Sequence, residues 1–436
     1  MNVKTVNEHL FRGEIDVSGL FPHLEQLKRQ PLVFGFDFGL DHLPEEPGIL
    51  IIRGARQYGK STWIEARLRD SVERFGPASA FYLNGDEISD SDSLAESILE
   101  LVRSYPPRAP VRRLFIDEIT AVDDWQRALK RLVDRGELRD VLVVTTGSKA
   151  TDLRRGAELL PGRKGRLART FYLFTPISYF EFRRVCGEDL KERTLPAYLL
   201  AGGCPVACAE IAAHGSLPEY VPTMVRDWIR GEFAASGRQR SSLLVVMEKL
   251  HSFGGTPLGQ AKLARESGLA NNTVAAGYVE LLADLMCVGI ASAWDESRRV
   301  TLTRRPAKYH LINLLAAAAW DPSSPRSVDD FEALPSTVRG RWWEWLAAQE
   351  IWRRAAIAGD ETPERMAYWK SRSHELDFVL DAGRFVEIKS GRTSPLELGW
   401  FAESFPRGRL TVVGRDRFET ERIRGVTMED FLLEEW

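Results

Sequence analysis

The nine residues Gly54-Ala55-Arg56-Gln57-Tyr58-Gly59-Lys60-Ser61-Thr62 have the types and spacing needed to hold the phosphates of a nucleoside triphosphate. Gly54 and Gly59 allow a tight turn, so that backbone N–H groups and the start of a following helix point at phosphate oxygens. Lys60 is expected to reach the β- and γ-phosphates and the Ser61 hydroxyl to ligate Mg²⁺, with Gln57 and Thr62 completing the contacts. A glycine loop before a helix can arise by chance. Here an uninterrupted apolar run, Gly48-Ile49-Leu50-Ile51-Ile52, precedes it and helix-forming residues follow, which is the context a phosphate loop requires. ATP and Mg²⁺ are therefore the expected cofactors.

A second set of residues suits hydrolysis. Arg113-Leu114-Phe115-Ile116-Asp117-Glu118 reads as an apolar strand ending in two acids. An Asp in that position can hold the water shell of Mg²⁺, and the following Glu can polarise an attacking water. The next strand, Val141-Leu142-Val143-Val144-Thr145-Thr146-Gly147-Ser148, ends in hydroxyls, and Ser148 or Thr146 would sense the γ-phosphate unless the serine merely caps a helix. Arg163 and Arg166 lie in the basic loop Leu160-Pro161-Gly162-Arg163-Lys164-Gly165-Arg166. Either would serve as an arginine finger to a neighbouring subunit, and a solvated basic loop is the competing reading.

A third set lies near the end of the chain. Asp377 on one strand, and Glu387 and Lys389 at alternate positions of the next, would share one face because strand side chains repeat every second residue. Two carboxylates can hold Mg²⁺ and a lysine can orient a hydrolytic water, the arrangement used to cleave phosphodiesters. Glu375 falls on the same face and Glu344 could join from a helix. The charged outer face of an ordinary hairpin would look the same.

The elements that position these sets alternate between strand and helix from residue 46 to 170, the signature of a parallel α/β sheet. Residues 1–45 read as a lead-in, 171–238 as a helical lid, and 239–320 as three helices followed by a hairpin, the order of a winged helix. Asn272 and Thr273 open its third helix, and Arg298, Arg299, Arg304 and Arg305, with Lys308 continuing the basic series, fall on the hairpin. In a winged helix these positions touch DNA, although such modules also serve only as protein contacts. A Pro/Ser/Asp linker then leads into a terminal domain, 327–436.

Composition sets limits on these readings. The chain has 436 residues, 44% hydrophobic and 28% charged, too long for one ordinary core and ordinary for a globular protein. A net charge of −3 requires any nucleic-acid binding to come from local basic patches. Four scattered cysteines read as reduced thiols. Met1-Asn2-Val3-Lys4 lacks the apolar core of a signal peptide and no eighteen-residue apolar run exists, so a cytoplasmic protein without a membrane segment is expected.

With these parts in view, the sequence resembles a bacterial and archaeal family of AAA-type ATPases with a winged helix and a C-terminal PD-(D/E)XK nuclease-like domain. Gly54-Ala55-Arg56-Gln57-Tyr58-Gly59-Lys60-Ser61 follows its phosphate loop except at Ala55 and Tyr58, and Leu160-Pro161-Gly162-Arg163 and Gly202-Gly203-Cys204-Pro205 match two further segments. Trp369, Glu375-Leu376-Asp377-Phe378 and Glu387-Ile388-Lys389 match its terminal block, while Val206 and Asn313 stand where the family has acids. The resemblance implies an α/β P-loop parallel-sheet ATPase domain with a helical lid, a winged helix and a C-terminal α/β restriction-endonuclease-like domain. It further implies ATP hydrolysis coupled to remodelling or translocation of DNA, branched or single-stranded, in a homo-oligomer such as a hexamer. The alternative is a nucleotide switch acting on a protein partner, with a terminal domain that does not cleave.

Overall fold

The computed structural model describes residues 2–147 and 165–434. They form two compact units, Met1–Thr175 with Ala356–Glu361, and Pro176–Ala355 with Thr362–Trp436. Ser148 and Arg163, with the Leu160-Pro161-Gly162-Arg163 segment, lie outside the described residues. No helix among those described is long and apolar enough to cross a membrane.

The first unit is built on β1 (Gly48–Gly54), β2 (Ala80–Asn84), β3 (Arg113–Asp117), β4 (Leu142–Gly147) and β5 (Phe171–Phe174), in the spatial order β2-β3-β4-β1-β5. Every pairing is parallel. β1, β3 and β4 are buried along their whole length, which is why their sequences read as unbroken apolar runs. Helices Lys60–Phe75, Ser91–Ser104 and Trp125–Asp134 make the crossovers. Trp125, Leu129 and Leu132, on the last of these, are completely buried against the sheet.

Residues 171–174 correct one expectation. The sequence pattern predicts the start of a helical region there, and the structure has instead the edge strand β5, paired with Ile51–Gly54. The Phe-Tyr-Leu-Phe run is short and aromatic, and it gains more from a half-buried pleated edge than from a helix turn.

The lead-in is part of this unit. Asn7, on helix Val3–Arg12, donates from Nδ2 to the Tyr82 carbonyl and accepts from the Tyr82 N–H, both at 2.8 Å, which occupies backbone groups of the edge strand β2. Phe38 packs among Trp63, Tyr172 and Phe174 with ring separations of 5.3, 6.4 and 4.7 Å.

The second unit begins with helices Tyr179–Leu190, Thr194–Ala201, Pro205–His214 and Tyr220–Ala235. Gly203 is needed here, because its φ is +71° and a Cβ would fall 2.4 Å from the Ile177 carbonyl. Helices Arg240–Ser252, Gln260–Glu266 and Asn272–Asp284 follow, then β6 (Val288–Asp295), β7 (Val300–Leu302) and β8 (Lys308–Leu311). β6 pairs antiparallel with both β7 and β8.

β6 also pairs in parallel with β9 (Arg365–Lys370), and β9 with β10 (Glu375–Leu376). This sheet therefore crosses the linker that, by composition, divides 239–320 from the terminal residues. A further sheet has β11 (Phe378–Val379), β12 (Arg384–Ile388), β13 (Arg409–Gly414), β14 (Phe418–Glu419) and β15 (Ile423–Thr427), in the order β11-β12-β13-β15-β14. β12–β13 and β13–β15 are parallel. The four cysteines are buried and unpaired.

Candidate functional site

β1 ends at Gly54 and the helix begins at Lys60, so the phosphate loop joins a buried strand directly to a helix N-terminus. Both glycines are required by space. A Cβ on Gly54 would lie 2.7 Å from that of Phe174, and one on Gly59, at φ +99°, would lie 2.4 Å from the Phe36 ring. Phe36, which in the sequence is only one of several aromatics in the lead-in, thus forms one wall of the loop. Gln57 is exposed with a left-handed φ of +61°, and Ser61 and Thr62 are half-buried on the first helical turn.

Lys60 is buried and donates from Nζ to the carbonyls of Gly54 and Ala55 at 2.9 and 2.7 Å. Burial lowers its pKa to about 8, against the opposing attraction of Glu118 and Asp117. Bound phosphates would raise that value, so the lysine's contribution to nucleotide affinity is complete below pH 8 and lost as pH climbs through the pKa of the complex. Affinity measured by fluorescent-nucleotide titration is expected to fall between pH 8 and the ordinary lysine value of 10.5. A flat profile over that window would contradict the assignment.

Asp117 is the last residue of β3, and Glu118 follows at a left-handed φ of +49°. Thr146 of the neighbouring β4 ties them together: its hydroxyl donates to Asp117 Oδ1 and accepts the Glu118 N–H at 3.3 Å. Glu118 Oε1 accepts from the Thr120 hydroxyl at 2.9 Å. Gly85 accommodates this turn, since a Cβ there would meet the Glu118 carbonyl at 2.2 Å. Of the two sensor-type hydroxyls that the sequence offers, Thr146 lies against the acids, and Ser148 is outside the described residues. No motif points to His23. Its Nδ1 lies 2.6 Å from Glu65 Oε1 on the phosphate-loop helix, and that hydrogen bond holds its pKa above the usual value. Arg166 is exposed at the edge of the described residues.

The acidic residues of the second unit do converge. Asp377 lies between β10 and β11 and accepts the Ile388 N–H at 2.9 Å through Oδ2. Its own N–H donates to Glu387 Oε2 at 3.2 Å, and Glu387 Oε1 pairs with Lys389 Nζ at 2.5 Å. Glu344 enters from helix Ser336–Ala358. Burial first, then the charge of Asp377, raises the pKa of both Glu344 and Glu387.

Lys308 departs from expectation. The sequence groups it with the solvent-facing basic hairpin, but its side chain is 1% exposed, and Nζ lies 2.6 Å from Glu375 Oε1, 2.8 Å from Asp377 Oδ1 and 3.7 Å from Glu344 Oε1. Burial opposes its charge, yet the three carboxylates outweigh burial and its pKa is raised. By contrast, Asn272, Thr273, Arg298, Arg299, Arg304 and Arg305 are all exposed.

A parallel five-stranded sheet that feeds a glycine loop into a helix, with an Asp–Glu pair at the end of a nearby strand, defines the first unit as a P-loop ATPase domain of the α/β class. Residues 46–183 match the family described as AAA domain. Among solved structures, the Walker-type ATPase PABY2304 of Pyrococcus abyssi is similar at 13% identity and a TM-score of 0.42, over 71% of this chain and 97% of that one. The ORC1 protein of Aeropyrum pernix in complex with DNA aligns at 14% identity and a TM-score of 0.32, over 73% and 91%. RuvB of Thermotoga maritima aligns at 14% identity and a TM-score of 0.31, over 56% and 82%. No curated protein matches the chain.

Proposed function

We propose that the protein is an Mg²⁺-dependent ATPase that acts on DNA, using hydrolysis in the first unit to remodel or move DNA held by the second. The observation that carries the reading is the placement of Lys60, Asp117 and Glu118 at the carboxyl ends of β1 and β3, with Thr146 of the intervening β4 binding the two acids. A loop in which no side chain fits at Gly54 or Gly59, next to a buried lysine, suits a triphosphate with its metal. Ser61 and Asp117 would hold Mg²⁺, which when bound supplies charge neutralisation between the phosphates. Glu118, oriented by Thr120, would take the proton of the attacking water, and Lys60 would steady the γ-phosphate.

For DNA, helices Arg240–Ser252, Gln260–Glu266 and Asn272–Asp284 with β6 and β7 are read as a winged helix. Asn272 and Thr273 begin its third helix, and the exposed Arg298, Arg299, Arg304 and Arg305 would meet phosphates from the hairpin. The residues 327–436 are read as PD-(D/E)XK nuclease-like on Asp377, Glu387 and Lys389, a domain that would bind and could cleave the DNA.

Salt-titrated binding to duplex, forked and single-stranded DNA tests the reading. The unmodified protein is expected to weaken steeply with salt, and Arg304→Gln with Arg305→Gln to reduce the log–log slope by about one for each arginine that pairs with a phosphate. An absence of binding at low salt would instead favour a nucleotide switch that acts on a protein partner.

A further inference from the structure

The acidic cluster has the carboxylates that a divalent ion would need, but the position among them is taken. Lys308 Nζ is close to both Glu375 Oε1 and Asp377 Oδ1, at 2.6 and 2.8 Å, and 3.7 Å from Glu344 Oε1. The other oxygens of the central acids are engaged as well: Asp377 Oδ2 by the Ile388 N–H, Glu387 Oε2 by the Asp377 N–H, and Glu387 Oε1 by Lys389. Among the described residues no group of three or more His, Cys, Asp or Glu side chains is arranged to hold a metal ion.

Magnesium bound by carboxylates sits about 2.0–2.1 Å from oxygens in near-octahedral geometry. An ammonium already in contact with two of those carboxylates would claim the same space and repel the ion, at a cost that grows in a buried, low-dielectric site. The residues as they stand do not fit the metal.

Three further polar atoms near the same space make no hydrogen bond. Glu344 Oε1 is buried without a hydrogen bond, and so are both ring nitrogens of His310, whose side chain is 0% exposed and whose Nδ1 lies 3.6 Å from that oxygen. Gly255 closes the side behind Glu344, since a Cβ there would fall 2.5 Å from Oε2. A lysine with three donors leaves this wall of the cluster unsatisfied.

We propose that Lys308 is the resident cation of this cluster, supplying from within the chain the charge that a divalent ion supplies in a metal-dependent nuclease. The second unit as built therefore binds no divalent ion at these acids and does not cut phosphodiesters. Removing the ammonium frees the three carboxylates that face it, Glu344, Glu375 and Asp377, to draw in a divalent ion. This inference stands apart from ATP hydrolysis, and its failure would leave the first unit's chemistry untouched.

Mn²⁺ binding to the nucleotide-free 436-residue chain, followed by electron paramagnetic resonance, is the test, with the phosphate loop identical in every variant. Lys308→Met is expected to gain one Mn²⁺ per chain at an affinity at least about tenfold above any binding by the unmodified protein, roughly 1.4 kcal/mol. Asp377→Asn added to Lys308→Met is expected to abolish that gain, and Lys308→Arg to show none. A soluble Lys308→Met without the gain overturns the proposal. Should Lys308→Met fail to fold, the unmodified protein and Asp377→Asn decide the matter. Equal Mn²⁺ binding by these two supports a site closed to metal, and loss of a site in Asp377→Asn overturns it.

Discussion

Lys60→Ala is expected to lower ATP turnover at least a hundredfold, with a melting temperature close to that of the unmodified protein. Removing one preorganised donor to developing charge costs about 10²–10³ in rate, and Lys60 adds to that its part in binding the ground-state phosphates. Stability should hold because the side chain is a buried cation whose charge burial already disfavours. The two carbonyls it now occupies, Gly54 and Ala55, would each be left without this donor, an effect of about 1 kcal/mol apiece. Steady-state phosphate release at saturating ATP, set beside a thermal melt, separates the two effects. An unchanged rate would remove the phosphate loop from the chemistry.

Glu118→Gln should behave differently. The amide keeps the shape and can still meet the Thr120 hydroxyl, but it cannot accept a proton from water. General-base catalysis is worth about 10²–10⁴-fold, so single-turnover hydrolysis should slow by that order while nucleotide affinity changes little. ATP recovered intact from the gel-filtered protein after minutes of incubation would show it. Rapid conversion to ADP in this variant would assign the base elsewhere. Together the two substitutions distinguish binding from hydrolysis, since one removes the group proposed to touch phosphate and the other leaves that group in place.

Much of the first unit is legible in the sequence because its signals are local. A buried strand, two glycines and a helix lie within consecutive residues, and each is dictated by its own composition. Asp117 and Glu118 can be read for the same reason. The role of Thr146 cannot be separated from that of Ser148 by pattern, because it depends on β4 lying between β1 and β3, a property of sheet order. Asn7 and Phe36 carry no sequence signal for the same cause: their partners, Tyr82 and Gly59, lie on other elements.

Lys308 shows the limit most sharply. Its neighbours Arg304 and Arg305 are exposed, so charge alone groups it with them on the hairpin. What buries it are acids 36 to 69 residues further along: Glu344 arrives on helix Ser336–Ala358, and Glu375 and Asp377 when β8 and the β9–β10 pair join the same sheet through β6. A run of basic residues can thus change from solvent-facing to internal between one residue and the next, where the strand begins.

The parallel pairing of β6 with β9 also determines where the chain can be divided. A fragment ending in the linker near residue 325 would keep the three helices and the hairpin, yet it would strip β6 of its partner at Ile290–Ala293 and leave that flank of backbone donors and acceptors open to other chains. Lys308 would be left in the same fragment with none of its carboxylates. The hairpin and the terminal residues are thus a single inheritable piece. Recombination could exchange them together, but a crossover at the linker would yield a sticky half-sheet carrying an uncompensated charge.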